Sequence, residues 1–288
     1  MSGKPGVDLP HLYPLLYEPL VRRTLEEDLG RAGDLTSDAV LPPHQTASAD
    51  VVARAAGRLA GLQVALCAFR LLDPSVDIIG NAVDGEDVEA GEILATVRGP
   101  ARPILTAERT ALNLLGRLCG IATATRDMVR LVEPHGARIV CTRKTTPGLR
   151  ALEKYAVRCG GGHNHRFGLD DAALIKDNHI ALAGGLRIAL ERARRAVGHL
   201  VKIEVEVDSL EQLREALDLG VDVVLLDNMS LETLREAVAL SKGRAITEAS
   251  GGINPQTAAA IAATGVDLLS AGWLTHSAPA LDVALDVA

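Results

Sequence analysis

From Arg138 onward the chain repeats one rhythm, and that rhythm narrows the fold to a short list. Apolar runs at 138–142, 172–176, 202–207, 222–226, 245–249 and 267–270 read as strands. Helical spacing fills the gaps at 149–157, 181–197, 210–219, 231–240 and 255–263. Repeated βα units imply a parallel sheet, either rolled into a barrel or open and doubly wound. The polar residues decide between these. Nearly every strand ends in chemistry: Arg143/Lys144, Lys176/Asp177, Glu206/Asp208, Asp227/Asn228, Glu248/Ser250 and Ser270/Gly272. Groups at the carboxyl ends of almost all strands meet at one mouth only in a barrel. An open sheet gathers them at one switch point instead. A (β/α) barrel is therefore expected.

The first ~115 residues have a different texture, that of an α+β module. Helical spacing over 20–29 stops at Gly30 and leads into a loop at 30–38, GRAGDLTSD. Residues 47–54 alternate as a strand, and 57–72 read as a turn entering a helix. Strands follow at 76–83 and 93–97, with turn chemistry at Asp84-Gly85. A long helix over 106–132 is expected to bend or break near Gly116 and Gly120.

Charge is distributed unevenly. Between Arg138 and Lys176 stand eight Lys/Arg against three acids, in a chain of 288 residues whose net charge is −7. A local cationic pocket in an acidic protein suits a small, strongly anionic ligand; an extended polyanion calls for a broad basic face. Aromatic residues at 2% argue against base-stacking platforms and so against nucleic acid. No apolar run approaches the roughly 20 residues of a membrane span, and the first twenty residues do not read as a signal peptide. Four cysteines without a CxxC pair point to a reducing cytoplasm. Cys159, His163 and His165 lack a second thiol at ligand spacing and lie among cations, which argues against zinc.

Several constellations carry candidate chemistry. Arg143 and Lys144 follow an apolar strand and precede a Pro-Gly turn, which favours a functional loop over a solvated one. Gly160-Gly161-Gly162 runs into His163-Asn164-His165-Arg166: glycines for close backbone approach, then donors for carboxylate or phosphate oxygens. Lys176 ends a strand and is a base, a Schiff-base former or a charge clamp. Of the acidic pairs Glu204/Glu206 and Asp222/Asp227, the inward members are expected to be Glu206 and Asp227. Such acids bind ribose hydroxyls or Mg²⁺, stabilise a developing cation, or simply pair with Arg143 or Lys176. The loops Ser250-Gly251-Gly252 and Ser270-Ala271-Gly272 follow late strands, where barrels often hold phosphate, and His276 is placed to assist.

Together these residues resemble the quinolinate phosphoribosyltransferase family. The likeness lies in GDLTSD (33–38), ERTALNLL (108–115), TRKTTPGLRALEKYAVRCGGGHNHR (142–166), LIKDNHI (174–180), EVEVDSLEQL (204–213), LLDNM (225–229), EASGGI (248–253) and SAGWLTHSAPALD (270–282). It spans nearly the full chain, and only Trp273 stands where a small residue is commoner.

The resemblance implies an N-terminal α/β sandwich domain over 1–115, rejoined by the tail 277–288, and an open seven-stranded α/β barrel over 116–276. It implies a homodimer in which Arg109 enters the neighbouring site. The implied reaction joins quinolinate to 5-phosphoribosyl-1-pyrophosphate (PRPP) with Mg²⁺, giving nicotinate mononucleotide, CO₂ and pyrophosphate. By similarity Arg109, Arg143, His165, Arg166 and Lys176 hold the two carboxylates, and Lys144 meets quinolinate or pyrophosphate. Lys144, Lys176, Glu206 and Asp227 are the implied catalytic residues. Glu206 and Asp227 bind ribose and metal, while Ser250, Gly251, Gly252, Ser270, Gly272 and His276 take the phosphate side. Competing readings are a relative acting on another aromatic acid, such as the molybdenum-transport-associated homologues, and an isomerase or aldolase barrel using Lys176 as a Schiff base. A simple anion-binding protein fits less well, since acids beside the cations would weaken it.

Overall fold

Residues 9–287 are described in the computed structural model of this chain, so the start of the segment read as lacking a signal peptide lies outside the described residues. The strands within them are β1 (Thr46–Ala53), β2 (Gly57–Arg58), β3 (Asp77–Gly80), β4 (Asp87–Val88), β5 (Ile93–Pro100), β6 (Arg138–Val140), β7 (Ala173–Ile175), β8 (Ile203–Val207), β9 (Val223–Asp227), β10 (Ile246–Ser250), β11 (Leu268–Ser270) and β12 (Val283–Val287). They fall into two compact units. One comprises the described residues up to Arg126, Thr145–Gly161 and those from Leu274 on; the other comprises Asp127–Lys144 and Gly162–Trp273.

The first unit is built on an antiparallel sheet in the order β12-β1-β5-β3. The last strand of the chain pairs along β1 from Ala49↔Val287 to Ala53↔Val283. Helices Glu18–Leu29 and Leu62–Leu72 bury apolar residues such as Val21, Leu25, Val64 and Phe69. The Asp84 carboxylate accepts the amides of Gly61 and Leu62 at 2.9 and 3.0 Å, capping the second of these helices from a distant turn.

Two expectations change here. The segment 30–38 is not wholly loop: Leu35–Val40 is helical, with Asp34 as its N-cap. Asp34 accepts from the Ser37 amide at 2.9 Å, from Ser37 Oγ at 2.6 Å and from Thr106 Oγ1 at 2.9 Å. These bonds hold its carboxyl below the usual range. The long helix starts at Ala101 and runs unbroken to Val132, through both glycines. Those glycines serve packing instead. A Cβ on Gly116 would lie 2.8 Å from the Leu281 carbonyl oxygen, and one on Gly120 would run into the Pro279 carbonyl. The C-terminal segment passes directly over the helix backbone there, and Leu281 N–H donates to Gly116 O at 2.9 Å.

The second unit carries a six-stranded parallel sheet, β6-β11-β10-β9-β8-β7. All six runs read as strands are present, each shifted by no more than two residues at an end. Val205, Val224, Leu226 and Leu269 are fully enclosed, as expected for strands covered on both faces. β6 and β7 do not pair, so the barrel is open between them. A full seventh strand is absent from the described residues. In its place His163 forms a single parallel bridge to Val140 on the outer side of β6, with its amide donating to Ile139 O at 2.8 Å. The helical stretch read over 181–197 divides into Asp177–Ala183 and Leu186–Ala196 around Gly184-Gly185. That read over 255–263 shortens to Ala258–Ala262.

Candidate active site

Side chains alternate along a strand, so residues two apart share a face. Leu225 and Asp227 on β9, and Glu248 and Ser250 on β10, face one cavity of about 390 Å³. Glu206 of β8, Ser270 of β11, Leu174 and Lys176 around β7, and Thr142, Arg143 and Lys144 after β6 complete it with His165 and Arg166. Every strand of the parallel sheet thus contributes to one cavity. A flat doubly wound sheet cannot bring its two edge strands to a common site, so this arrangement marks the barrel.

The walls carry opposite charge. Lys176 Nζ lies 2.8 Å from Glu206 Oε2, so the simple ion-pair reading of that acid is realised in this arrangement. The lysine side chain is half-exposed and salt-bridged, unlike the desolvated amine that Schiff-base chemistry needs. Arg143 Nε is buried with no hydrogen-bond partner. A buried guanidinium N–H lacking an acceptor is costly, and an anion in the cavity removes that cost. Burial pulls the Arg166 guanidinium below its usual pKa and Arg143 pulls the same way, opposed by Glu204 and Asp171.

A second cavity of about 300 Å³ shares Glu206 and Asp227 and adds Asp177 and Asp208. Its acids are all oxygen donors, which fits a hard divalent cation such as Mg²⁺. Asp227 is braced by Asn228, whose Nδ2 donates to Asp227 Oδ2 at 2.8 Å. Asn228 has a left-handed backbone (φ 53°), and its amide donates to Ser250 O at 2.9 Å. Gly251 (φ 94°) packs against that carboxamide so closely that any side chain would strike it.

Below the cavity, His165 Nε2 lies 2.9 Å from Glu204 Oε2 and 3.6 Å from Glu248 Oε1. Its Nδ1 accepts the Arg166 amide at 2.7 Å. Burial, then the Glu204 carboxylate, push the Glu248 carboxyl up to about 7, with His165 opposing. Glu204 is absent from the site expected from sequence, and Glu248 is expected there only as strand-end chemistry with no assigned role. Glu204 is inward together with Glu206 instead of being its outward alternate. The signal was available: each stands two residues before a recognised site residue, Glu206 or Ser250, on the same strand.

Of the expected residues, Arg143, Lys144, His165, Arg166, Lys176, Glu206, Asp227, Ser250 and Ser270 line the one cavity. Gly251 and Gly252 follow β10. Gly272 follows β11 and sits against Lys144, where a Cβ would lie 2.9 Å from Lys144 Cδ. Arg109 and His276 are not among the residues that line that cavity. Arg109 lies in the first unit on the long helix, with its side chain 64% exposed and its guanidinium 3.9 Å from Glu108 Oε1. It lines a separate cavity of about 320 Å³ with Asp34 and Thr106. His276 is exposed in the first unit, with Nδ1 2.6 Å from Ser277 Oγ.

The chain matches two family models, "Quinolinate phosphoribosyl transferase, N-terminal domain" over residues 34–119 and "Quinolinate phosphoribosyl transferase, C-terminal domain" over residues 121–286. It is 47% identical over 273 residues to a Bacillus subtilis (strain 168) protein named "Probable nicotinate-nucleotide pyrophosphorylase (carboxylating)", covering 95% of this chain and 94% of that one. It is 46% identical over 275 residues to the nicotinate-nucleotide pyrophosphorylase (carboxylating) of Mycobacterium leprae, covering 93% and 95%. The crystal structure of NadC from Streptococcus pyogenes superposes with a TM-score of 0.93 at 39% identity, covering 97% of this chain and 99% of that one.

Proposed function

This chain belongs to the quinolinate phosphoribosyltransferase family, and we propose that its barrel cavity transfers the phosphoribosyl group of PRPP to quinolinate with loss of one carboxylate. The products are nicotinate mononucleotide, CO₂ and pyrophosphate, a step in NAD biosynthesis. One observation carries this assignment to the cavity: cations after β6, after the His163 bridge and at the end of β7 face two acids from β8 and β9 across a single space. A dicarboxylate suits the first wall and a ribosyl centre that becomes cationic suits the second.

Arg143, Arg166 and Lys176 grip the two carboxylates and turn the pyridine nitrogen toward ribose C1. Lys144, reaching past Gly272, meets quinolinate or pyrophosphate. The nitrogen lone pair forms the new bond to C1 as the C1–oxygen bond breaks, and pyrophosphate leaves with that electron pair. The ring nitrogen is then cationic. When the adjacent carbon–carboxylate bond breaks and CO₂ departs, the positive ring stabilises the electron pair left behind until it takes a proton. No covalent enzyme intermediate is needed, so positioning and electrostatics account for the catalysis. Glu206 and Asp227 hold the ribose hydroxyls and stabilise positive charge at C1. The same two acids would hold Mg²⁺, which when bound neutralises the leaving pyrophosphate. Ser250, Gly251, Gly252, Ser270 and Gly272 take the 5-phosphate on backbone and hydroxyl donors.

By resemblance Arg109 joins this clamp from a second copy of the chain. Its exposed position in the first unit supports a homodimer with shared sites. No helix among the described residues is long and apolar enough to cross a membrane, and with the cysteine pattern this supports a cytoplasmic enzyme. The test is direct. Protein, Mg²⁺, PRPP and quinolinate should yield nicotinate mononucleotide, whereas turnover of nicotinate with none of quinolinate would overturn the assignment. Decarboxylation of quinolinate without PRPP would overturn the order of steps.

A further inference from the structure

Asn228, just past β9, is the one non-glycine among the described residues with a left-handed backbone, at φ 53°. Asparagine tolerates that region better than most side chains, yet glycine takes it with no strain. What the carboxamide touches is therefore informative. Along an extended strand, residues 227 and 228 would point to opposite faces. The turn at Asn228 instead brings its side chain alongside Asp227, where Nδ2 donates to Asp227 Oδ2 at 2.8 Å. A carboxylate only accepts, so the atom facing it is the amide nitrogen. The other side of the carboxamide abuts Gly251: a Cβ built there would collide first with Asn228 Oδ1 and then with Asn228 Cγ. The backbone amide of Asn228 closes the arrangement by donating to Ser250 O at 2.9 Å. Further along the same loop, Thr257 Oγ1 and Asn254 Nδ2 both donate to Gly252 O, at 2.9 and 3.1 Å. One exposed side chain thus stands between an acid of the cavity and the glycine turn that follows β10.

We propose that Asn228 is a positioning residue for the phosphoribosyl group, fixing the Asp227 carboxylate with its amide nitrogen and the Gly251 turn with its amide oxygen. It acts through those two residues: it holds the acid that meets the ribose in register with the loop that meets the 5-phosphate. The inference rests on the phosphoribosyltransferase reading of the cavity and adds to it a residue that contacts no substrate. An asparagine present for its backbone alone would behave differently. Aspartate has the same shape and also tolerates the left-handed region, so on that account Asn228→Asp would be silent. If the brace is what counts, Asn228→Asp loses the donor and sets one carboxylate against another.

Calorimetry on the full-length protein, without metal, decides between these. Asn228→Gly keeps the backbone and removes the brace. It should weaken nicotinate mononucleotide binding roughly tenfold and leave quinolinate binding within about twofold. Asn228→Asp should weaken nicotinate mononucleotide binding at least as much. Wild-type affinity for nicotinate mononucleotide in either variant would overturn the proposal. So would an equal loss for quinolinate, which would mark a general disturbance of the cavity. Where Asn228→Gly fails to fold, Asn228→Asp carries the same test. Wild-type protein that binds no nicotinate mononucleotide would instead defeat the functional reading, and NMR would then still decide the brace. The Asn228 side-chain amide signals should shift and exchange faster with solvent in Asp227→Ala; unchanged signals would overturn it.

Discussion

Glu248 is a carboxyl placed where its charge is unwelcome, and its titration should show in the stability of the protein. Burial and the neighbouring Glu204 raise it from 4.5 to about 7. Between those values the folded state binds more protons than the unfolded state, so stability falls as pH rises through this window. The penalty is absent below about pH 4.5 and complete above about pH 7. Glu248→Gln removes it, so the variant's unfolding free energy relative to wild type should be more favourable at pH 8 than at pH 5 by on the order of 2 kcal/mol, read by chemical denaturation at the two pH values. An identical difference at both pH values would show that Glu248 does not titrate in this window. Lys176 makes the complementary case. Lys176→Ala removes a cation from the clamp and leaves Glu206 without its partner at 2.8 Å. Steady-state kinetics should show the KM for quinolinate raised roughly tenfold or more, and an unchanged KM would remove Lys176 from the clamp. At this scale the cations were legible because Arg, Lys and His clustered beside glycines in an acidic chain have few structural explanations. Glu204 was not, because in sequence it is one of two acids on a strand, and its contact with His165 at 2.9 Å exists only in the fold.

Among elements, glycine marks where a helix is approached and not only where it ends. Gly120→Ala sets a methyl against the Pro279 carbonyl, so it should cost about 1–3 kcal/mol by forced repacking, read as a lower midpoint in chemical denaturation. Gly198→Ala is the control: nothing lies within 4 Å of its added Cβ and its φ is not positive, so its effect should stay within about 0.5 kcal/mol. Equal effects at the two sites would show that the C-terminal segment does not hold the long helix at Gly120. The six barrel strands were readable from apolar runs bounded by turn residues, since strands buried on both faces need little else. The seventh survives as one bridge through His163, too short to produce any period. The Asp34 cap was visible in principle, as Asp followed three residues later by Ser, although Gly30 and Gly33 just before it favour a loop reading.

For the whole molecule the question is which pieces of chain belong together. Resemblance placed the boundary at 115/116 and the returning tail at 277. The compact units instead keep the long helix with the first unit to Arg126, and take Thr145–Gly161 into it as well. Long-range bonds account for that assignment. Glu153, fully buried, accepts from Arg117 Nη2 at 2.8 Å, and Tyr155 Oη donates to Asp84 at 2.8 Å. If Arg109 of one copy completes the site of another, Arg109→Ala and Lys176→Ala subunits should complement. Equimolar exchange should restore about a quarter of wild-type activity, from one intact site in each mixed dimer. No recovery after proven exchange would count against shared sites.

The sequence alone determined the barrel class, its strands, and the cations and two acids that line one cavity. Each follows from local rules: period, turn chemistry, and groups at strand ends that share one mouth. Only the tertiary structure decided that Glu204 and Glu248 lie beneath His165, that two glycines admit the chain's end against a helix, and that residues 145–161 pack with the first unit. Those facts are distances between residues far apart in the chain, and no local pattern encodes them.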